Sequence, residues 1–250
     1  AYASATYTNQ SCGIEILRSS DFGETWGEPR SIYTGRMWEP SFIRLPSGEI
    51  QLLFTDSHEV AVSSSTVVSR PCVSLLRSFD KGETWQEKEA CTYEDAEVLS
   101  RIVDAEGTYD GMPVGKCLSQ GGGIAYACES YGYDRTPWIV YSSVEKNWKY
   151  DDFDFATGGP EGRRWLLHKD FVGYAPYLEV LPSGDVIVQS NGKYKGVNGL
   201  WTFIGDENAK NFSYASTPYS GWWGSIAYIG NDEVISTANA EYKKGSIAYM

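Results

Sequence analysis

The chain has 250 residues and a formal net charge of -12, and it is rich in Tyr, Trp and Gly. The negative charge argues against nucleic acid and against an anionic membrane surface, because both are bound through Lys and Arg. No apolar run approaches the roughly 20 residues that a membrane-spanning helix needs, so no membrane span is expected. Aromatic residues favour strands and glycines favour tight turns, which together indicate an all-β chain.

The chain starts with AYASATYTN, a segment with no initiator Met and no signal-peptide pattern. These residues alternate in polarity like a strand that is already under way. We therefore expect that an N-terminal segment, including any export signal, is missing from this sequence.

Two kinds of repeated turn follow in chain order. The first is SSDFGETW at Ser19–Trp26, which returns as SFDKGETW at Ser78–Trp85 and in a decayed form as YSSVEKNW at Tyr141–Trp148. The second kind lies between strand-like runs and occurs at Leu45–Glu49, Leu118–Gly122 and Leu181–Asp185, with a looser copy at Ile229–Glu233. Gly-containing turns between such runs are typical of β-hairpins.

The order of these turns predicts a four-stranded antiparallel meander, repeated at the size of a propeller blade. We expect blade two over residues 37–93, blade three over 111–152, blade four over 173–213 and blade five over 222–250. Blade one starts at its second strand. The prediction is one all-β propeller domain over residues 1–250.

The SxDxGxTW pattern resembles the Asp box of the sialidase-like (BNR repeat) propellers, and the two good copies are called the Asp-box turns below. Three further segments resemble this superfamily: MWEPSFIRLPSGEIQLLFTD, DGMPVGKCLSQGGGIAYACES and GYAPYLEVLPSGDVIVQSNG. In detail they are more similar to the exo-arabinanase branch, glycoside hydrolase family 93, than to sialidases. The resemblance covers residues 12–240 and implies a six-bladed, extracellular or periplasmic glycosidase.

The meander order predicts which end of the propeller carries chemistry. Strands reverse direction at each turn, so both kinds of repeated turn must lie at one end. The starts of the first strands and the ends of the second strands must then meet at the opposite end, called the mouth below. The residues there are rich in carboxylates, aromatics, Asn and Arg, a mixture that suits a sugar.

Three carboxylates at the mouth are the catalytic candidates. Glu39 stands beside Trp38, where partial desolvation would raise its pKa towards that of a general acid. Glu129 ends a strongly apolar strand and would be costly to bury unpaired. Asp56 is a rival, as is the neighbouring Glu59: one of them could be the acid, a ligand of a sugar hydroxyl or a partner of Arg36. The sequence does not decide which carboxylate is the acid and which the nucleophile or base.

A second group of mouth residues has the chemistry to bind sugar hydroxyls, rings or an anionic group. The candidates are Arg36, Trp38, His58, Glu59, Tyr131, Arg135, Tyr174, Tyr177, Asn191 and Trp222. Their alternatives are packing for the aromatics and pairing with carboxylates for the arginines. No cofactor or metal is predicted, and the expected partner of the monomer is an oligosaccharide or polysaccharide.

Two other functions stay open. An exo-α-sialidase needs a cluster of arginines that the sequence does not supply. A non-catalytic carbohydrate- or protein-binding propeller is possible because a fold does not fix a function.

Five cysteines are scattered without metal-ligand spacing. Cys72 and Cys91 are equidistant from the centre of the second Asp-box turn, so a hairpin turning there would set them opposite each other. A cross-strand disulfide and two buried thiols are both compatible with this spacing.

Overall fold

The computed structural model describes residues 2–4, 12–61, 67–69, 71–100, 109–118, 123–131, 135–149, 153–154, 159–160, 163–231 and 233–239. Every regular element in these ranges is a β-strand, and consecutive strands pair antiparallel into sheets. No helix of membrane-spanning length and apolarity occurs among the residues described.

The first two sheets are blades one and two. Blade one contains β1 (Tyr2–Ser4), β2 (Gly13–Ile16) and β3 (Arg30–Thr34). The first Asp-box turn connects β2 to β3, so these strands correspond to the second, third and fourth of a blade, as predicted. Blade two contains β4 (Met37–Arg44), β5 (Ile50–Asp56), β8 (Cys72–Ser78) and β9 (Glu97–Ser100), with a separate ribbon of β6 (Glu59–Ala61) and β7 (Val67–Ser69).

The other three sheets repeat this order. Blade three contains β10 (Tyr109–Cys117), β11 (Gly123–Tyr131), β12 (Trp138–Ser143) and β15 (Arg164–Leu166), with a ribbon of β13 (Phe153–Asp154) and β14 (Gly159–Pro160). Blade four contains β16 (Phe171–Val180), β17 (Val186–Tyr194), β18 (Val197–Gly205) and β19 (Ser213–Tyr219). Blade five has β20 (Trp222–Gly230) and β21 (Glu233–Asn239).

The all-β class and the four-stranded meander are therefore confirmed, while several blade limits differ from the prediction. Blade three closes at β15, beyond the predicted limit of residue 152, because the β13–β14 ribbon separates its third and fourth strands. Blade two extends to Ser100 and blade four to Tyr219. The ribbon carries no repeat motif, so the sequence offered no signal for it.

The turns between first and second strands take the predicted hairpin form. In the Leu45–Glu49 turn the Leu45 N–H donates to the Glu49 carbonyl at 2.9 Å, and Gly48 has a φ of 92°. The Leu181–Asp185 turn repeats this arrangement, with Gly184 at a φ of 97°. Both turns require a residue with a positive φ, and glycine adopts such a φ without strain.

The second Asp-box turn is held by its own side chains. The Gly82 N–H donates to the Ser78 hydroxyl at 2.7 Å, and the Thr84 N–H donates to the Asp80 carboxylate at 2.9 Å. Trp85 is 1% exposed and packs into the apolar core between blades one and two. A cavity of about 290 Å³ is lined both by this turn and by Arg44 and Ile50, which flank the other turn of blade two. Both kinds of turn therefore lie at one end, as predicted.

Apolar side chains between neighbouring sheets form the core. One cluster joins blades one and two, a second joins blades two and three, and a third joins blades three and four. Every residue of β8 is buried, because sheets cover it on both faces. The first strands of blades two to five contact one another in turn, so β4, β10, β16 and β20 are the inner strands.

Of the two alternatives for Cys72 and Cys91, the structure shows two buried thiols and no disulfide. Cys72 lies opposite Asp56 on β5, whereas the Cys91 backbone bonds with Ile32 and Thr34 of blade one. The chain between Trp85 and β9 crosses to the neighbouring sheet instead of forming a tight hairpin. None of the five cysteines forms a disulfide.

Candidate functional site

The inner strands share one irregularity at the mouth. Each loses register with its partner strand at a β-bulge, and in each bulge one non-glycine residue has a positive φ. These residues are Glu39 (57°), Met112 (49°), Ala175 (53°) and Trp223 (49°). Such backbone costs about 1–3 kcal/mol per residue and concentrates at functional sites. The four bulges place one side chain from each blade at the same level of the central channel.

Proline marks three of these bulges. Pro40, Pro113 and Pro176 each follow the residue with positive φ. Proline cannot donate to a strand ladder, so inside a sheet it is confined to edges and bulges. The proline at equivalent places in three blades is therefore a repeated sequence signal for the bulges, and the predicted site did not use it.

The bulges also join neighbouring blades. The Met112 N–H donates to the Thr55 hydroxyl at 2.9 Å, and the Ala175 N–H donates to the Glu129 carboxylate at 3.0 Å. The Trp223 N–H donates to the Asn191 side-chain oxygen at 2.6 Å. Thr55, Glu129 and Asn191 occupy equivalent positions, each opposite the residue that precedes the bulge of its own blade. We call these contacts the inter-blade bonds.

Two of the three catalytic candidates line one cavity. This cavity of about 310 Å³, called the acid cavity below, is lined by Glu39 and Glu129 together with Arg36, Trp38, Thr55, Ser57 and Pro71. Trp38 is 41% exposed, which leaves part of an indole free to contact a ligand. Glu39 also lines a second cavity of about 460 Å³, the channel between the four inner strands, where it is joined by Tyr177.

The Glu39 carboxylate is held between two blades. The Thr55 hydroxyl donates to it at 2.8 Å, and the Met112 N–H donates to the same oxygen at 2.9 Å. The residue keeps contact with solvent in the channel, while the protein around the carboxylate removes much of its water. This desolvation raises the pKa of Glu39, and the two hydrogen bonds partly offset the rise. Glu39 therefore tends to stay protonated at a higher pH than an ordinary glutamate.

Asp56 lies in a different environment. It is 1% exposed, and its carboxylate accepts hydrogen bonds from the backbone N–H of His58 at 3.0 Å and from its imidazole at 2.8 Å. The His58 ring stacks on Tyr93 with centroids 4.4 Å apart. Burial raises the pKa of the nearby Tyr33, and the Asp56 charge adds to the rise. Neither Asp56 nor His58 is among the residues that line the cavities described here.

Several binding candidates meet at a third cavity, called the basic cavity below. It measures about 470 Å³, and its lining includes Arg135, Tyr174, Lys193 and Trp222. Asn191 is wholly buried beside it. Glu59 and Tyr131 lie on described strands, but their side chains are outside the described part of the structure.

One mouth carboxylate was missed. Asp110 is fully buried next to the bulge of β10 and forms a two-pronged ion pair with Arg164, whose other nitrogen lies 2.8 Å from the second carboxylate oxygen. The Arg164 guanidinium also lies 4.6 Å from the centre of the Trp138 ring. Asp110 keeps the pKa of Arg164 raised against the opposing effect of burial. Arg164 lies on β15, beyond the predicted limit of blade three at residue 152, so the sequence did not predict its pairing with Asp110.

Among the described residues, no group of three or more His, Cys, Asp or Glu side chains could hold a metal ion.

Comparison with known proteins gives structural but no sequence relatives. No family model matches the chain, and no curated protein sequence matches it. A Penicillium chrysogenum α-L-arabinanase bound to arabinobiose is 16% identical, with a TM-score of 0.60 over 95% of this chain and 66% of that one. The GH93 α-L-arabinofuranosidase of Fusarium graminearum bound to arabinobiose is 14% identical, with a TM-score of 0.63 over 96% and 66%.

A Dyadobacter fermentans protein of unknown function is also similar, at 15% identity and a TM-score of 0.59 over 93% of this chain and 65% of that one. The chain thus spans about two thirds of the length of these structures. At such identities the likeness concerns the fold. The resemblance inferred from sequence is confirmed at that level: the chain shares the β-propeller fold of these arabinanase and arabinofuranosidase structures.

Proposed function

We propose that this chain is a glycoside hydrolase that acts on the end of an arabinan-type oligosaccharide, with Glu39 and Glu129 as its catalytic pair. The observation that carries the proposal is that both carboxylates line the acid cavity beside the exposed ring of Trp38 and the guanidinium of Arg36. Glycosidases cleave their bond between two such carboxyl groups.

The environments of the two acids favour a division of roles. The raised pKa of Glu39 suits a general acid, which must be protonated to assist departure of the leaving group. Glu129, which accepts the N–H of Ala175 at 3.0 Å, takes the remaining role of nucleophile or general base. Asp56, which is buried and bonded to His58, fits better as a support for the mouth than as a reacting group.

The substrate class rests on the fold and on the lining of the cavity. Structures with this fold include an arabinanase and an arabinofuranosidase, each bound to arabinobiose. Aromatic faces and polar groups at the mouth suit a small sugar. The proposal extends to a single propeller domain over residues 1–250, acting as a monomer outside the cytoplasm and without a cofactor.

The experiment is hydrolysis of arabino-oligosaccharides and of sialosides by the wild type, Glu39→Gln and Glu129→Gln. We expect arabinobiose release by the wild type and a loss of about 10²–10⁴-fold in kcat for Glu39→Gln, the usual contribution of a general acid. Asp185→Asn, in a turn at the opposite end, is the matched control and should keep full activity. Full activity in both Glu variants would refute the assignment, and cleavage of sialosides alone would favour a sialidase.

A second candidate is a carbohydrate-binding propeller without catalysis. The observation that favours it is that Glu129 has structural equivalents in the neighbouring blades. Thr55 and Asn191 occupy the same position there and form the same inter-blade bond. On that interpretation Glu129 has a structural role alone. Binding of arabino-oligosaccharides with no product after prolonged incubation would support this candidate.

A further inference from the structure

The basic cavity has a different composition from the acid cavity. Its described lining contains two cationic residues, Arg135 and Lys193, and no Asp or Glu. The whole chain carries a net charge of -12, so an acid-free cavity with two cations is locally unusual. Both residues are exposed. A cavity of this kind attracts an anionic ligand.

Two aromatic rings form the other part of the lining. Tyr174 and Trp222 are nearly parallel, with an angle of 15° between their planes and centroids 6.1 Å apart. Trp222 is 47% exposed, so much of its ring is open to a ligand. A flat, open aromatic surface suits the apolar face of a sugar ring. The cavity volume of about 470 Å³ is in the range of small-ligand sites.

Buried polar side chains hold the backbone that carries both rings. Asn191, which is fully buried, donates to the Gly221 carbonyl at 2.7 Å and accepts the Trp223 N–H at 2.6 Å, so it holds the backbone on both sides of Trp222. The buried Ser190 donates to the Tyr174 carbonyl at 2.8 Å. The backbone of both aromatic residues is therefore held in place before any ligand arrives, which reduces the entropic cost of binding.

We propose that the basic cavity binds a sugar carboxylate, that is, a uronic-acid unit of an acidic oligosaccharide. The ring of that unit stacks on Trp222, and its carboxylate pairs with Arg135 and Lys193. An arginine fork matches the geometry of a carboxylate, and a lysine adds a point charge.

The walls of the basic cavity and the acid cavity are joined by one hydrogen bond. Glu129 lines the acid cavity and accepts the N–H of Ala175, the residue next to Tyr174 of the basic cavity. The proposal extends to a single oligosaccharide that occupies both cavities. Only this last step, that the acidic unit belongs to the hydrolysed substrate, rests on the proposed function; binding in the basic cavity stands independently.

The test is calorimetric titration of the Glu39→Gln variant, which lacks the proposed general acid, with trigalacturonate and with its fully methyl-esterified form. The two probes have the same rings and differ in charge. We expect the acid to bind at least about tenfold more tightly, with the difference shrinking as NaCl rises from about 0.05 to about 0.5 M. Inorganic sulfate at the same concentration should not displace the sugar, because it has no ring to stack.

Two variants separate the contributions. Trp222→Ala should weaken both probes about tenfold, whereas Arg135→Ala should weaken the acid and leave the ester unchanged. Arg44→Ala removes an exposed arginine at the opposite end and is the control that should change neither.

Equal affinity for acid and ester, full displacement by sulfate, or unchanged binding by Trp222→Ala would each overturn the proposal. Hydrolysis is measured separately on the wild type. If binding persists and no hydrolysis occurs, the proposed function fails and the acidic-sugar site stands. If arabino-oligosaccharides are cleaved and trigalacturonate does not bind, the proposed function stands and the acidic-sugar site fails.

Discussion

The Asp-box aspartates at one end of the propeller and Glu39 at the mouth have pKa values that are shifted in opposite directions. At the turn end, hydrogen bonds from Ser19 and Thr25 lower the pKa of Asp21 to about 2, and Thr84 lowers the pKa of Asp80 even further. At the mouth, desolvation raises the pKa of Glu39. The turn end therefore stabilises the anions of Asp21 and Asp80, whereas the bulge of β4 at the mouth favours the protonated form of Glu39.

The difference shows how repetition separates structural acids from chemical ones. Asp21 and Asp80 occur in the repeated motif and bond the backbone of their own turns. Glu39 occupies a bulge position that the other inner strands fill with Met112, Ala175 and Trp223. An acid found once at a repeated backbone position has no role that the fold requires in every blade.

The largest expected effect on stability concerns Trp85 and Trp26. They end the two Asp-box turns, yet Trp85 is 1% exposed and Trp26 is 61% exposed. Trp85→Ala should lower the free energy of unfolding by about 3–5 kcal/mol, because it leaves a cavity between two blades. Trp26→Ala should cost less than about 1 kcal/mol. Urea unfolding followed by circular dichroism measures both, and equal losses would contradict the assigned packing.

Asp110 tests whether every mouth acid has a chemical role. Asp110→Asn leaves the buried Arg164 guanidinium without its charge partner and should lower the free energy of unfolding by about 3–5 kcal/mol. The double variant Asp110→Leu with Arg164→Met should lose less, since no buried charge is left unpaired. If the double variant is as unstable as the single one, the unpaired charge of Arg164 is not the cause of the loss.

Removing an Asp-box carboxylate should have a smaller effect than the substitutions above, and it should change stability without changing activity. Since the pKa of Asp21 is lower in the folded chain than in the unfolded one, its contribution is complete above about pH 4 and is lost as the pH falls towards 2. Asp21→Asn should therefore lower the melting temperature at pH 7, and the difference from wild type should vanish near pH 2. A melting series against pH measures this, and a constant difference would contradict the assigned hydrogen bonds. Activity well below the melting temperature should not change.

The sequence was sufficient for features that depend on local chemistry. Gly48 and Gly82 mark turns that need a positive φ, and the order of the turns predicted strand order and the end on which each turn lies. Features that depend on contacts between blades were not predictable in this way. The hydrogen bond between Glu129 and Ala175 joins residues from different sheets, and neither sequence segment contains a pattern that predicts this contact.

The missed features have the same physical origin. Cys91 bonds with blade one because the chain after Trp85 crosses to the neighbouring sheet, a path that equal spacing around a turn cannot reveal. The Asp110–Arg164 pair spans the β13–β14 ribbon, which has no repeat signal. The prolines of the bulges were the one local signal available and unused.

The most direct test of the central claim is the pH dependence of kcat/KM for arabino-oligosaccharide hydrolysis by the wild type and Thr55→Val. If Glu39 is the general acid, activity falls as the pH rises through its raised pKa, because the proton donor is lost. The Thr55 hydroxyl lowers that pKa through its hydrogen bond, so Thr55→Val should shift the alkaline limb to higher pH. An alkaline limb at the same pH in both proteins, or no hydrolysis by the wild type, would contradict the account.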